Sequence, residues 1–354
     1  MNPVDQVLAL VRPDILALSA YSSARKEAKG GRVWLDANEN PETPSVHKPL
    51  LNRYPDPQPA DLVAKLANLY GVAAGQILVT RGSDEGIDLL LRTFCRAGQD
   101  AILITPPTYG MYVVAAGIQG ARTVTVPLVR GKNFALDPAA VLAACTPAVK
   151  LVFLCSPNNP TGGLLARGDI LGLVRSLAAR AVVVVDEAYV DFSGQPSLAA
   201  EVAAHPNLVV LRTLSKAFGL AGARVGTTIA DPAVIAVLQK VIAPYPVPAP
   251  VLQAALAALT PDALAAARDS VATLVAERRR LAAALAKLQA VKQVWPSDAN
   301  YLLVEVADAA RAMAAGRAAG VVWRDRSKDV PNCIRITVGT AAENDATLEV
   351  LARA

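Results

Sequence analysis

Short apolar runs alternate with longer stretches of helical periodicity between about residues 60 and 240. Ile77-Leu-Val-Thr80, Leu151-Val-Phe-Leu154 and Ala181-Val-Val-Val-Val185 are runs of this kind. Apolar segments without polar alternation suit strands covered on both faces, as in parallel sheets whose connections are helices. The pattern therefore predicts an α/β fold with a largely parallel sheet flanked by helices. Gly86-Ile-Asp-Leu-Leu-Leu-Arg92 reads as one of those helices.

The pattern changes after residue 243. Prolines at 244, 246, 248 and 250 form a stiff connector. Beyond it, 251–259 and 262–288 read as helices and 300–305 and 333–338 as strands. Three parts are expected: a segment 1–40 that folds over the site and joins the smaller domain, a large domain over 41–243, and a small α+β domain over 244–354.

Composition narrows the function classes. The 354 residues carry a net charge of only +5, without the concentrated basic surface that nucleic-acid binding uses. Arg278-Arg-Arg280, after Glu277, reads as a solvated helix face. Cys95, Cys145, Cys155 and Cys333 are scattered, and the chain has 2 histidines, so no metal site is expected. The uncharged stretch 241–261 is interrupted by prolines that forbid a continuous membrane helix. Asp5 and Arg12 make the amino terminus a poor signal peptide. A soluble, cytoplasmic protein is expected.

Candidate chemistry clusters at the ends of the apolar runs. Lys216 lies in Arg212-Thr-Leu-Ser-Lys-Ala-Phe-Gly219, a small, apolar setting that would keep part of its amine neutral and able to attack a carbonyl. Asp186 closes the run 181–185, at the carboxyl edge where open α/β sheets bind ligands. A carboxylate there can pair with a protonated pyridine nitrogen. Tyr189 and Asn158, the latter in Ser156-Pro-Asn-Asn-Pro-Thr-Gly162, can bond a ring oxygen. Gly82-Ser-Asp-Glu85, between a strand and a helix, offers amides to an anion, with Ser83 and Asp84 in the turn. Ser215 and Arg224 can add a hydroxyl and a permanent charge, and Tyr109 an aromatic face. An imine-forming lysine, an acid, ring-oxygen donors and a phosphate cradle are together what an aldehyde cofactor requires.

The ordered set Asn38-Glu-Asn-Pro41, Arg53-Tyr-Pro-Asp56, Gly82-Ser-Asp-Glu85, Pro107-Thr-Tyr109, Pro157-Asn-Asn-Pro-Thr-Gly162, Asp186-Glu-Ala-Tyr189, Ser215-Lys-Ala-Phe-Gly-Leu-Ala-Gly222 and Ile334-Arg-Ile-Thr-Val-Gly339 resembles the fold-type I pyridoxal-phosphate-dependent aminotransferases, most closely their histidinol-phosphate branch. The resemblance implies pyridoxal 5'-phosphate on Lys216, with Asp186 and Tyr189 beside it. It implies a homodimer in which Tyr54 reaches the partner's cofactor phosphate. Tyr21 would lie near the substrate on a lid segment, with Asn38 and Asn158 also at the substrate. Arg335 would bind the substrate anion and Arg324 would add a second anion contact. The implied reaction is a two-stage amino transfer from histidinol phosphate, with glutamate and 2-oxoglutarate running the other half. Aromatic aminotransferases and threonine-phosphate decarboxylases share the fold and are the alternatives. A non-enzymatic regulator is disfavoured because the motifs begin at residue 36, leaving no room for a DNA-binding domain.

Overall fold

The computed structural model describes residues 2–19, 35–42 and 51–353. Its larger sheet contains β1 (Ile77–Thr80), β2 (Ala101–Ile104), β3 (Arg122–Thr125), β4 (Val149–Cys155), β5 (Val182–Asp186), β6 (Leu208–Thr213) and β7 (Gly226–Ile229), in the order β1-β7-β6-β5-β4-β2-β3. Neighbours among β3, β2, β4, β5 and β6 run parallel, whereas β7 is antiparallel to both β6 and β1. Every residue of β1, β2, β5, β6 and β7 is buried, which accounts for the apolar runs of β1, β2 and β5. The predicted α/β architecture is the one observed.

Register determines where the chemistry meets. Cys155 pairs with Asp186, and Asp186 with Leu211, while Gly226 pairs with both Thr80 and Thr213. The carboxyl ends of β1, β4, β5 and β6 thus share one edge with the amino end of β7.

Helices cover the sheet. They are α1 (Pro3–Leu8), α2 (Pro13–Ala17), α3 (Ala60–Tyr70), α4 (Gly82–Phe94), α5 (Met111–Gln119), α6 (Pro138–Ala144), α7 (Arg167–Ser176) and α8 (Pro232–Val241). The expectation that the amino-terminal segment joins the smaller domain is not met in its described part. Val7 of α1 and Val11, just beyond its end, bury in the same cluster as Leu90, Phe94 and Leu238 of the larger layer. Arg12 N–H donates to Thr93 O at 3.0 Å and Lys240 Nζ to Leu16 O at 2.8 Å.

A second sheet, ordered β10-β11-β9-β8, contains β8 (Val291–Val294), β9 (Tyr301–Val306), β10 (Arg324–Asp325) and β11 (Cys333–Thr337), all antiparallel. Helices α10 (Pro261–Leu285), α11 (Ala309–Ala318) and α12 (Ala341–Arg353) accompany it, whereas α9 (Ala249–Ala258) packs on α3, with Ala255 buried beside Leu62 and Leu66 of the larger layer. Leu281, Leu285, Leu302, Val304, Ile334 and Leu351 form its core. The proline-spaced connector ends sooner than expected, because Pro250 sits in the first turn of α9, where its missing N–H leaves no bond unmade.

Arg278 is not on a solvated face. It is 8% exposed and donates from one guanidinium nitrogen to Phe192 O at 3.3 Å and Ala299 O at 2.6 Å. Arg278, Leu281 and Leu285 share the inner stripe of α10, whereas Arg280 pairs outside with Glu277 and Asp345. Among the described residues, no single helix is long and apolar enough to cross a membrane.

Candidate active site

Two glycines bring a strand against the start of a helix. A Cβ on Gly226 would lie 2.2 Å from the carbonyl carbon of Gly82 and 2.5 Å from Ser83 N. A Cβ on Gly82, itself at φ +75°, would lie 2.5 Å from a guanidinium nitrogen of Arg224. Only glycine at both positions lets Arg224, in the left-handed region at φ 56°, lie across the first turn of α4. Arg224 donates to Ser215 Oγ at 3.2 Å and to Asp84 Oδ2 at 3.1 Å. Thr213 Oγ1 donates to Ser215 Oγ at 2.9 Å. Helix amides, two serine hydroxyls and a guanidinium thereby converge on a site suited to a phosphate.

Asp186, the last residue of β5, is 2% exposed. Burial pushes its carboxyl up to about 6, opposed by hydrogen bonds from Tyr112 O–H and from the Ala188 N–H. Tyr112 donates to Oδ2 at 2.8 Å and Ala188 N to Oδ1 at 3.1 Å, so one lone-pair direction on each oxygen is engaged. Tyr109 stands edge-on to Tyr112, with centroids 5.6 Å apart, and donates to Asp84 Oδ1 at 2.9 Å.

Lys216 follows β6 and projects into the mouth of the same pocket, an open space of about 470 Å³ that Ser83, Asp84, Tyr109, Asp186, Tyr189, Ser215 and Arg224 also line. Its ammonium is disfavoured first by burial and then by the like charges of Arg335 and Arg224, which lowers its pKa. The amine lies 5.6 Å from the Tyr189 ring centroid. Burial raises the Tyr189 phenol, which keeps its proton.

The Asn158 expectation fails on side-chain direction. Its two amide protons go to Pro107 O at 2.9 Å and Thr161 Oγ1 at 2.8 Å, and its Oδ1 accepts from Thr108 Oγ1 at 2.9 Å. Asn158 therefore holds the loop, and neighbouring Asn159 faces the pocket. Asn159 Nδ2 donates to Tyr189 Oη at 3.4 Å, and Asn159 Oδ1 accepts from Arg335 at 2.5 Å. Tyr301 O–H donates to Asn158 O at 2.8 Å, and the Arg335 guanidinium lies 5.2 Å from the Tyr301 ring centroid. The second sheet thus docks on the loop after β4. At Gly162, φ +86°, a Cβ would lie 2.4 Å from Ser297 Oγ.

Other expected residues lie outside this pocket's lining or outside the described residues. Arg324 is exposed on β10, paired in register with Arg335 on the next strand. Tyr54 is half exposed and stacks on Tyr245 with centroids 4.5 Å apart. It lines a separate groove with Asn38, Arg53 and Pro248, so Asn38 is not brought to Lys216 within this chain. Tyr21 lies outside the described residues. Tyr112, Asn159 and Cys155 belong to the site without having been singled out. Tyr112 shares an inner stripe with Ala115 and Ala116, a spacing visible in the sequence.

Comparison with known proteins agrees with this geometry. The family described as aminotransferase class I and II matches residues 17–354. A histidinol-phosphate aminotransferase of Stenotrophomonas maltophilia is 49% identical, over 98% of this chain and 97% of its own length. One from Xanthomonas campestris pv. campestris is likewise 49% identical, over 98% and 97%. The structure of a histidinol-phosphate aminotransferase from Sinorhizobium meliloti, in complex with pyridoxal-5'-phosphate, superposes with a TM-score of 0.77 at 26% identity, covering 85% of this chain and 82% of that one.

Proposed function

For a chain that belongs to the class I and II aminotransferase family, we propose transfer of the amino group of L-histidinol phosphate to 2-oxoglutarate, giving imidazole-acetol phosphate and L-glutamate in histidine biosynthesis, with pyridoxal 5'-phosphate as cofactor. The observation that carries this reading is that Lys216, Asp186 and the Ser83–Ser215–Arg224 cradle line one pocket. The residues fit the group. Missing Cβ atoms at Gly82 and Gly226 open the phosphate cradle, and the buried Asp186 offers free acceptor positions to a protonated ring nitrogen. Tyr109 supplies a ring face, and Tyr189 with Asn159 serves the ring hydroxyl. When bound, the cofactor supplies an aldehyde carbon to amines and an electron-poor ring that stabilises negative charge at the attached carbon.

The chain's own residues supply position and proton transfer. Lys216, its ammonium disfavoured, is the base that would take the proton from the substrate α-carbon and give it up again two atoms away, across the substrate nitrogen. Asp186 accepts from Tyr112 and from the Ala188 N–H, bonds that favour its ionised form against the burial that raises its pKa. Arg335, held by Asn159 and the Tyr301 face, presents a planar fork that suits either a phosphate or a carboxylate. Arg324, beside it in register, adds a second cation for the doubly charged phosphate.

The working unit is a homodimer in which the half-exposed Tyr54 reaches the partner's phosphate, and the lid carrying Tyr21 covers the site. A large part over 41–243 that holds the cofactor, and a cytoplasmic location, complete the reading. The test is steady-state turnover of L-histidinol phosphate against phenylalanine, tyrosine and O-phospho-L-threonine, each with 2-oxoglutarate. Preference for the imidazole substrate, with stoichiometric glutamate, is expected. Preference for an aromatic amino acid, or carbon dioxide release without consumption of 2-oxoglutarate, would replace it with another activity of the same fold.

A further inference from the structure

We infer that Tyr112 is a positioning residue for the cofactor: its phenol holds Asp186 as an oriented, acceptor-only carboxylate facing the ring nitrogen. Its role so stated rests on the cofactor reading above.

The phenol is fully buried, stacked on Phe153 with centroids 4.8 Å apart and an interplanar angle of 16°. Its single proton goes to Asp186 Oδ2 at 2.8 Å, and complete burial leaves it no water as a competing acceptor. Burial first, then the negative field of Asp186, keeps that proton on the oxygen far above neutral pH, so Tyr112 is always the donor. Together with the Ala188 N–H on Oδ1, it fixes the carboxyl plane and leaves the remaining lone pairs for the pocket. Each bond favours the ionised form, against the desolvation that favours the neutral one.

The other titratable groups around Asp186 come from several elements. Asp84 on α4, Glu187 next along the chain and Cys155 on β4 add negative or neutral character. Lys216 after β6 brings the opposing positive charge. Tyr109, Tyr189 and Tyr301 surround it with phenols that burial keeps protonated.

The test is binding of pyridoxamine 5'-phosphate, which cannot form an imine, to the apo-protein between about pH 5 and 9. Wild-type affinity should fall as pH drops through about 6, where Asp186 takes a proton. Tyr112→Phe retains the stacked ring and loses one charge-assisted hydrogen bond. Its midpoint should move up by about 1–2 pH units, with near-wild-type affinity restored at the alkaline end. Phe153→Leu, which loosens the packing and keeps the hydroxyl, should weaken binding at every pH and leave the midpoint in place. Asp186→Asn should remove the Asp186 contribution and leave only the step of the ligand's own phosphate, which also titrates at about pH 6. An unmoved midpoint in Tyr112→Phe, or an Asp186→Asn profile identical to that of the wild type, overturns the role of Tyr112 alone. Failure of the wild-type protein to bind pyridoxamine 5'-phosphate overturns the cofactor reading and the role of Tyr112 with it.

Discussion

Gly226→Ala probes the junction on which the phosphate cradle depends. The added methyl would lie 2.2 Å from the Gly82 carbonyl carbon, 2.5 Å from Ser83 N and 2.6 Å from Gly82 O. All three are backbone atoms and cannot rotate aside. Carbon contacts settle at about 3.5–4.0 Å, so the first turn of α4 has to retreat from β7 by roughly 1 Å or more. Overpacking of this kind costs about 1–3 kcal/mol of stability. The same retreat separates Ser83 and the helix amides from Ser215 and Arg224, which sit on the other side of the junction. Loss of one charge-assisted contact, about 1.5–3 kcal/mol, weakens phosphate binding about ten- to a hundredfold. Titration of the apo-protein with pyridoxal 5'-phosphate, alongside urea unfolding, measures both effects. Gly172→Ala is the control. Gly172 lies inside α7 with nothing near its missing Cβ, so alanine should stabilise by about 0.4–1 kcal/mol and leave affinity unchanged. A Gly226→Ala protein that bound cofactor and unfolded as the wild type does would refute the reasoning.

Three further substitutions test separate parts of the structure. Asp186 has a folded-state pKa of about 6 against an ordinary 3.8, so the folded apo-protein holds more protons than the unfolded chain between those values, and the cost of the carboxylate grows as pH rises through that window. Asp186→Asn should therefore stabilise the apo-protein at pH 8 by up to about 3 kcal/mol, a gain that fades towards pH 4 in urea titrations, while cofactor binding weakens. Arg278→Met removes the donor to two carbonyls and should destabilise by about 2–4 kcal/mol, whereas the exposed Arg279→Met should stay within about 0.5 kcal/mol. Arg324→Met should raise KM for L-histidinol phosphate about tenfold with little change in kcat, and an unchanged KM would remove Arg324 from the substrate site.

Much of the sheet was legible because β1, β4 and β5 are buried on both faces, and their apolar runs end where the sheet ends. The position of Asp186 follows from that alone. Strand direction was not legible: β7 reverses between β6 and β1, and nothing in Gly226–Ile229 distinguishes a parallel from an antiparallel partner. The two asparagines of the loop after β4 could not be told apart either. The loop has no periodicity, and which amide faces the pocket depends on Thr108 and Arg335, which lie on other elements, as well as on Thr161 within the loop. Arg278 and Tyr112 failed for a different reason. Both share helical spacing with buried apolar residues, but a triplet of arginines suggests solvent, and Tyr112 belongs to no motif that points to chemistry. Helical spacing was the stronger signal in both cases.

The central claim, a cofactor joined to Lys216, is tested most directly by trapping the bond. Protein loaded with pyridoxal 5'-phosphate is reduced with borohydride, digested, and its peptides weighed. A single stable adduct on the peptide containing Lys216, absent from Lys216→Ala, is the predicted result. An adduct confined to another lysine, or none at saturating cofactor, would contradict it.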